Sequence, residues 1–211
     1  MTLSLNEVEA TAKKAARGAG YPWGLAEEAG KAVRWLCAHD FDGCAALAAL
    51  LQEIDGTDIA DWLPLPGDTG WTAQGTRLCP IATGSAISDR ATMIGPDKVR
   101  LEEVAQPILL APFAAMLAQQ LERNVTLSVD DARITTDGKT GSRAGGMFPS
   151  PAARACLGAG GEVGAPAPAR PRAQPAPPAW TTLNAFAHRT YAPATEESRM
   201  KGAGAGTSDN D

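Results

Sequence analysis

The apolar residues at the start of the chain keep a helical rhythm. Leu5, Val8, Ala12, Ala15 and Ala19 recur at spacings of three and four, which places their side chains on one face of an α-helix. Ser4-Leu5-Asn6-Glu7 ahead of them is a capping box. The Ser4 hydroxyl can accept from the Glu7 N–H, and the Glu7 carboxylate can reach back. Lys13, Lys14 and Arg17 gather toward the far end, where positive charge suits the helix dipole, and Gly18 and Gly20 predict the stop. A second stripe, Leu25, Ala29, Val33 and Leu36, predicts a helix over 22–38. The short connection predicts an antiparallel helical hairpin. A third helix starts after Asp42 and carries Leu47, Leu50, Leu51 and Ile54 as far as Asp55-Gly56.

The rhythm then changes. Trp62, Pro64, Pro66, Gly67, Gly70 and Trp71 predict an ordered loop over 58–75, because two tryptophans are costly to leave in water. Residues 77–81 and 99–104 read as strands. Residues 107–111 read as a buried strand running into a helix with Pro112 at its first position, and Phe113, Met116, Leu117 and Leu121 facing the core. Residues 125–129 alternate as a half-buried strand, and Asp130-Asp131 turns them into 132–136. Strand, helix, strand and hairpin in that order predict a small mixed sheet. The fold class is therefore α+β, with α/β as the alternative, in one globular unit over 1–137.

Over 138–179 the pattern dissolves. Pro166, Pro168, Pro171, Pro175, Pro177 and Pro178 alternate with alanine and arginine, a composition that behaves as a partly extended linker. Docking to a proline-recognising partner is the lesser reading. Trp180 reopens ordered sequence. Leu183, Phe186 and Ala187 predict a short helix after Thr181 or Thr182, so that 180–211 form a C-terminal helix and tail packed on the globular unit or on a partner.

Charge and cysteine content narrow the classes. Nineteen basic and 24 acidic residues leave a net charge of −5, which supplies no basic footprint for nucleic acid. The opening nine residues carry acids where a signal peptide needs bases. The longest apolar run, Ile108 to Ala118, is half of the roughly 20 residues needed to span a bilayer. Cys37, Cys44, Cys79 and Cys156 are too few and too scattered for a disulfide scaffold. A protein of the cytoplasm with reduced thiols, and without nucleic acid or membrane as partner, is the expectation.

Candidate chemistry concentrates in the tail. Pro193 and Gly202 bracket a short helix with Glu196 and Glu197 in its first turn and Arg199 and Lys201 in its last. Gly202-Ala-Gly-Ala-Gly206 lets backbone approach a phosphate, a carboxylate or another strand closely. Arg199, Gly202, Gly204 and Gly206 are accordingly the candidate cofactor-contacting residues. The run is not a dinucleotide fingerprint, since no strand precedes it and no helix follows. His188 and Glu197 are the candidate acid–base pair if the tail folds over a cleft, with Tyr191 and Glu196 nearby. Asp209 and Asp211 read as a solvated acidic end rather than a cation site.

Elsewhere Cys37, His39, Cys44 and Cys79 offer donors for zinc, but not at the paired, turn-imposed spacing that structural zinc wants. They read as packed thiols and a helix-end histidine, and no metal site is assigned. Cys79 before Pro80, and Ser85 and Ser88 within Gly84–Asp89, are the candidate nucleophiles. Ser85 lacks the elbow motif, and a loop capped by Ser88 or Asp89 accounts for that stretch.

In its opening Leu3–Glu9, in Tyr21–Ala32 and in the Thr190-Tyr-Ala-Pro…Gly-Ala-Gly-Ala-Gly…Asp-Asn-Asp tail, the chain resembles a bacterial family of uncharacterised proteins. That resemblance implies no activity; it implies that the tail is a family feature. Ser4 to Ala49 also looks like the opening of the non-Rossmann NAD(P)-dependent 2-hydroxyacid dehydrogenases of the malate/lactate type. Those continue from Asp-Gly into Ser-His-Gly, whereas Asp42-Gly43 is followed here by Cys44-Ala-Ala. No catalytic residue carries across. The functional expectation is a metabolite-binding protein or small enzyme with a tail-covered pocket. The alternative is a non-catalytic accessory or assembly protein for a bacterial metabolic enzyme. No cofactor is assigned.

Overall fold

The computed structural model describes residues 1–75, 77–91, 98–166 and 169–191. The fold is α+β. Helix α1 (Leu5–Gly18) starts where the capping box placed it, with Ser4 Oγ accepting from the Glu7 N–H at 3.1 Å. Helices α2 (Trp23–Ala38) and α3 (Gly43–Ile54) follow, the latter capped by Asp42 Oδ1 on the Ala45 N–H at 2.9 Å. Contacts of Lys13 with Glu27 and of Glu9 with Arg34 run in opposite chain directions, so α1 and α2 form the expected antiparallel hairpin. Helix α1 ends at Gly18 as expected; a Cβ there would sit 1.8 Å from the Phe186 carbonyl oxygen, so its smallness also lets a later helix cross. The turn itself falls to Gly20 at φ +100°.

Trp62 and Trp71 are buried, as their cost in water requires; Trp62 precedes β2 (Pro64–Leu65) and Trp71 immediately precedes β3 (Thr72–Ala73), two short strands that pair antiparallel. Helix α4 (Pro80–Asp89) replaces the strand expected at 77–81 and the loop expected at 84–89. Leu78 still bridges to a strand, but Pro80 stands at a helix start, and Gly84 is small enough for the Phe113 ring to rest on the helix. The strand expected at 107–111 is likewise a turn of 3₁₀-helix, Pro107–Leu110, feeding α5 (Ala111–Leu121). Phe113 and Leu117 are buried there, whereas Met116 points outward, because α5 is covered nearly all round and its residues 116, 119 and 120 form the one open strip.

A five-stranded antiparallel sheet carries the rest, in the order β4-β8-β5-β6-β7: β4 is Val99–Val104, β5 Val125–Val129, β6 Ala132–Thr136, β7 Gly141–Ala144 and β8 Ala152–Ala159. Two of these strands lie in the segment expected to be linker. The eight residues of β8 are held between β4 and β5, with Leu157 opposite both Val99 and Leu127. The outer edge of β4 is covered at two points by Trp71 and Leu78, which exchange backbone hydrogen bonds with Arg100, Glu102, Glu103 and Ala105 at 2.8–3.1 Å. That removes one exposed edge from the sheet. Strand β9 (Arg172–Ala173) pairs antiparallel with β1 (Leu3–Ser4), which ties the proline-rich stretch to the N-terminus.

Helix α6 (Pro177–His188) opens with two of the prolines that argued against a helix, because the first turn has no use for their missing N–H groups. The layers stack in sequence. Helix α5 lies on β5 and β6, α2 packs on α4 and α5, α1 and α3 pack on α2, and α6 seats on α1 and α3. Among the described residues no helix is long and apolar enough to cross a membrane.

Candidate functional site

Alternation gives the five-stranded sheet two unlike faces. Val125, Leu127, Val129, Ile134, Leu101 and Leu157 point to the helices and are buried. The other face carries two cross-strand rows. One runs Gly158, Thr126, Thr135, Ser142; the next runs Arg100, Cys156, Ser128, Arg133, Ala144. A solvated sheet face ordinarily carries long polar side chains. Here the middle is built from glycine, hydroxyls and a thiol, and the long side chains stand at the rim. The result is a hollow of about 590 Å³ rimmed by Lys98, Arg133 and Glu162, with Gly160, Gly161 and Gly164 along one wall. Arg143, opposite Ile134, turns its guanidinium to the helix side of the sheet, 5.8 Å from the Phe41 ring.

The hydroxyls are ordered by the glycine wall. Thr126 Oγ1 donates to the Gly160 carbonyl at 2.8 Å, so in its 3.0 Å contact with Thr135 Oγ1 the proton comes from Thr135. Ser142 Oγ accepts from the Gly164 N–H at 2.9 Å and keeps its own proton free. Asn124 Nδ2 donates to the Gly161 carbonyl at 2.9 Å and pins the wall to the start of β5. Lys98 lies across Gly158, where a Cβ would come within 2.7 Å of its Cγ. The arrangement therefore presents donors: the free hydroxyl protons of Ser128 and Ser142, and two cations, Lys98 and Arg133, that make no ion pair among the described residues. Glu162 is the one carboxylate on the rim among the described residues. Cys156, partly exposed, sits beside Ser128 in the middle of the floor.

The residues singled out from sequence fall elsewhere. His188 ends α6, exposed, with its ring edge-on to Tyr191 at 5.2 Å. Its expected partners Glu196 and Glu197, and Arg199, Gly202, Gly204, Gly206, Asp209 and Asp211, lie outside the described residues. His39 is a helix-end histidine: its ring stacks on Trp35 at 3.9 Å and its Nδ1 meets the Trp35 carbonyl at 2.8 Å. Among the described residues no three His, Cys, Asp or Glu side chains gather as metal ligands.

The candidate nucleophiles are occupied or enclosed. Ser85 donates back to the Ile81 carbonyl at 2.9 Å, and Ser88 is buried. Cys79 is fully buried, 3.2 Å from the Tyr21 hydroxyl, and burial pushes both groups above their ordinary range. Cys37 and Cys44 share a hydrogen bond across the α2–α3 turn. The Cys44 thiol, with the backbone N–H groups of Gly43 and Cys44, holds Cys37 below the ordinary thiol range, and that same contact with Cys37 raises Cys44.

None of the residues of the hollow was singled out from sequence. Period-two alternation of Thr126 and Ser128 in β5 marked an outward face, but only the pairing of β8 shows what stands beside it.

Residues 3–78 match the family described as "Protein of unknown function (DUF3726)". The match takes in the helical hairpin, α3 and the two buried tryptophans, including the Leu3–Glu9 and Tyr21–Ala32 stretches, and ends before the five-stranded sheet. No curated protein matches the chain. Among solved structures, malate dehydrogenase from Entamoeba histolytica aligns with a TM-score of 0.44 at 13% identity, over 75% of this chain and 49% of that one. The chain thus spans about half the length of that structure.

Proposed function

We propose that the chain is a metabolite-binding protein or small enzyme of the cytoplasm that seats a small anionic metabolite, a carboxylate or phosphate, on the outer face of the five-stranded sheet. One observation carries this reading: the hollow gathers donors, from Lys98 and Arg133 at the rim to Ser128 and Ser142 within, against the single carboxylate of Glu162 among the described residues. Charge-assisted hydrogen bonds of this kind are the stronger class, and the Arg133 guanidinium suits the planar geometry of a carboxylate or phosphate. The small floor leaves room for a ligand where a solvated face would be filled. Four free cysteines are in keeping with a reducing compartment.

The test uses succinate, citrate and inorganic phosphate, each added to the whole protein. Cys156 is the partly exposed thiol of the four, the other three being buried, so its alkylation by iodoacetamide reports the floor directly. At least one anion raises the thermal midpoint and slows alkylation, and Arg133→Ala abolishes both effects. If all three leave midpoint and alkylation rate unchanged at millimolar concentration, the reading fails. It also fails if protection of Cys156 follows protein concentration rather than added anion, which would mark the face as a contact between copies.

A further inference from the structure

The second feature of the molecule that calls for a ligand lies at the opposite, helical end. The last turns of α1, the first turn of α2 and the end of α6 converge on a cleft of about 660 Å³. Its polar lining comes from Lys13, Lys14, Arg17 and Arg189, and its rings from Trp23 and Tyr191. Among the described residues no carboxylate lines it. In a chain of net charge −5 that is a local inversion of sign. Glu27 holds Lys13 at 2.6 Å and Asp55 holds Arg189 through two contacts at 2.6 and 3.0 Å, both from outside the cleft. Arg17 spends one N–H on the Tyr21 carbonyl, and Lys14 makes no ion pair among the described residues. Among the described residues two of the four cations, Lys14 and Arg17, thus make no ion pair.

The rings are the unusual part. Trp23 is 65% exposed and Tyr191 53%, while Trp62 and Trp71 are buried. Each open ring is flanked by cations. The Arg17 guanidinium lies 4.6 Å and Lys13 Nζ 5.7 Å from the Trp23 centroid, and Lys14 Nζ lies 5.5 Å from the Tyr191 centroid. These contacts hold the rings in place without covering them. An open indole and an open phenol standing over a cluster of cations combine a stacking surface for a flat heterocycle with a seat for the negative charge attached to it. The volume is that of an ordinary small-molecule site.

We propose that this cleft binds a nucleoside phosphate, the base stacked on Trp23 and Tyr191 and the phosphates held by Lys14 and Arg17. The site is independent of the sheet hollow and rests on none of its residues.

The experiment follows ADP binding to the full chain by calorimetry and by Trp23 emission, with adenosine and pyrophosphate as the two halves of the ligand. ADP quenches the emission and binds at least about tenfold more tightly than either half, in line with losing a charge-assisted contact or a stacked base. Raising salt weakens ADP and leaves adenosine unaffected. Lys14→Gln weakens ADP about tenfold. Trp23→Phe abolishes the emission change yet retains calorimetric binding, since phenylalanine still stacks. Both side chains are on the surface, and circular dichroism confirms that the variants fold. Pyrophosphate binding as tightly as ADP overturns the proposal, as does adenosine binding equally well. No calorimetric heat at millimolar ADP, or affinity unmoved by Lys14→Gln, overturns it too. Arg133→Ala leaves ADP affinity unchanged, which keeps this test separate from that of the sheet face.

Discussion

The two faces of the five-stranded sheet are made by alternate residues of the same strands, yet they obey different rules. Val125, Leu127 and Val129 are closed against α5, and their sizes are fixed by the space that α5 leaves. Thr126 and Ser128, one position along, meet no helix. What they share with Thr135, Ser142, Cys156 and Gly158 is smallness, and Thr126, Thr135 and Ser142 make hydrogen bonds that a core would not require. The inner face is selected by packing and the outer face by chemistry, and substitutions on the two should fail differently.

The largest effect is expected from the inner face. Leu127→Ala removes a fully buried side chain at the middle of the sheet and should cost about 2–5 kcal/mol in urea unfolding. Next comes the glycine wall. Gly161 has φ +98°, and a Cβ there would lie 2.4 Å from Thr126 Oγ1. Gly161→Ala should destabilise by more than about 1 kcal/mol and, by displacing the wall, also weaken anion protection of Cys156. A smaller effect belongs to the buried Tyr21–Cys79 pair. Tyr21→Phe should cost about 0.5–1.5 kcal/mol near neutral pH, the range of a single hydrogen bond.

The pH dependence of that pair has a definite sign. Burial raises both groups, so the folded chain holds their protons where the unfolded chain releases them. Their contribution is complete below the unfolded values, roughly 8.5 for the thiol and 10 for the phenol, and is lost as pH rises from these toward the raised folded values. Alkaline denaturation titrations should show the decline, with a shallower limb above about pH 10 in Tyr21→Phe. The smallest effect on stability sharpens the comparison most. Ser128→Ala should leave the urea midpoint within about 0.5 kcal/mol of the parent while weakening anion binding. A loss as large as that of Leu127→Ala would erase the distinction between the faces.

How far the sequence reached follows the same division. The helices α1 to α3 were legible because their stripes of leucine and alanine repeat locally and their caps, Ser4 and Asp42, announce them. The hairpin β5–β6 was legible because Val125–Val129 alternates and Asp130-Asp131 turns it. Strand β8 was not. Ala-Ala-Arg-Ala-Cys-Leu-Gly-Ala has no β-branched residue, and its conformation is imposed by partners about 30 and 50 residues away. The prolines of 166–178 read as linker since nothing local showed that Ala173 pairs with Leu3, or that Pro177 opens a helix. With β8 unread, the floor containing Gly158 and Cys156 could not be assembled, and attention went to the tail instead.

The pairing of Leu3 with Ala173 has a consequence in time. A chain emerging from the ribosome offers its N-terminal residues first, but the strand that holds them, and the helix α6 that seats on α1 and α3, arrive after some 170 residues have been made. The hairpin of α1 and α2 can form early from its own contacts. It must then wait, with the face that Leu183 and Phe186 will cover still open to water, until the last described helix is released. Closure of the fold is thus a late, non-local event, of the kind that folds slowly and leaves sticky surface exposed meanwhile. Shortening the chain before residue 177 would leave that wait without an end.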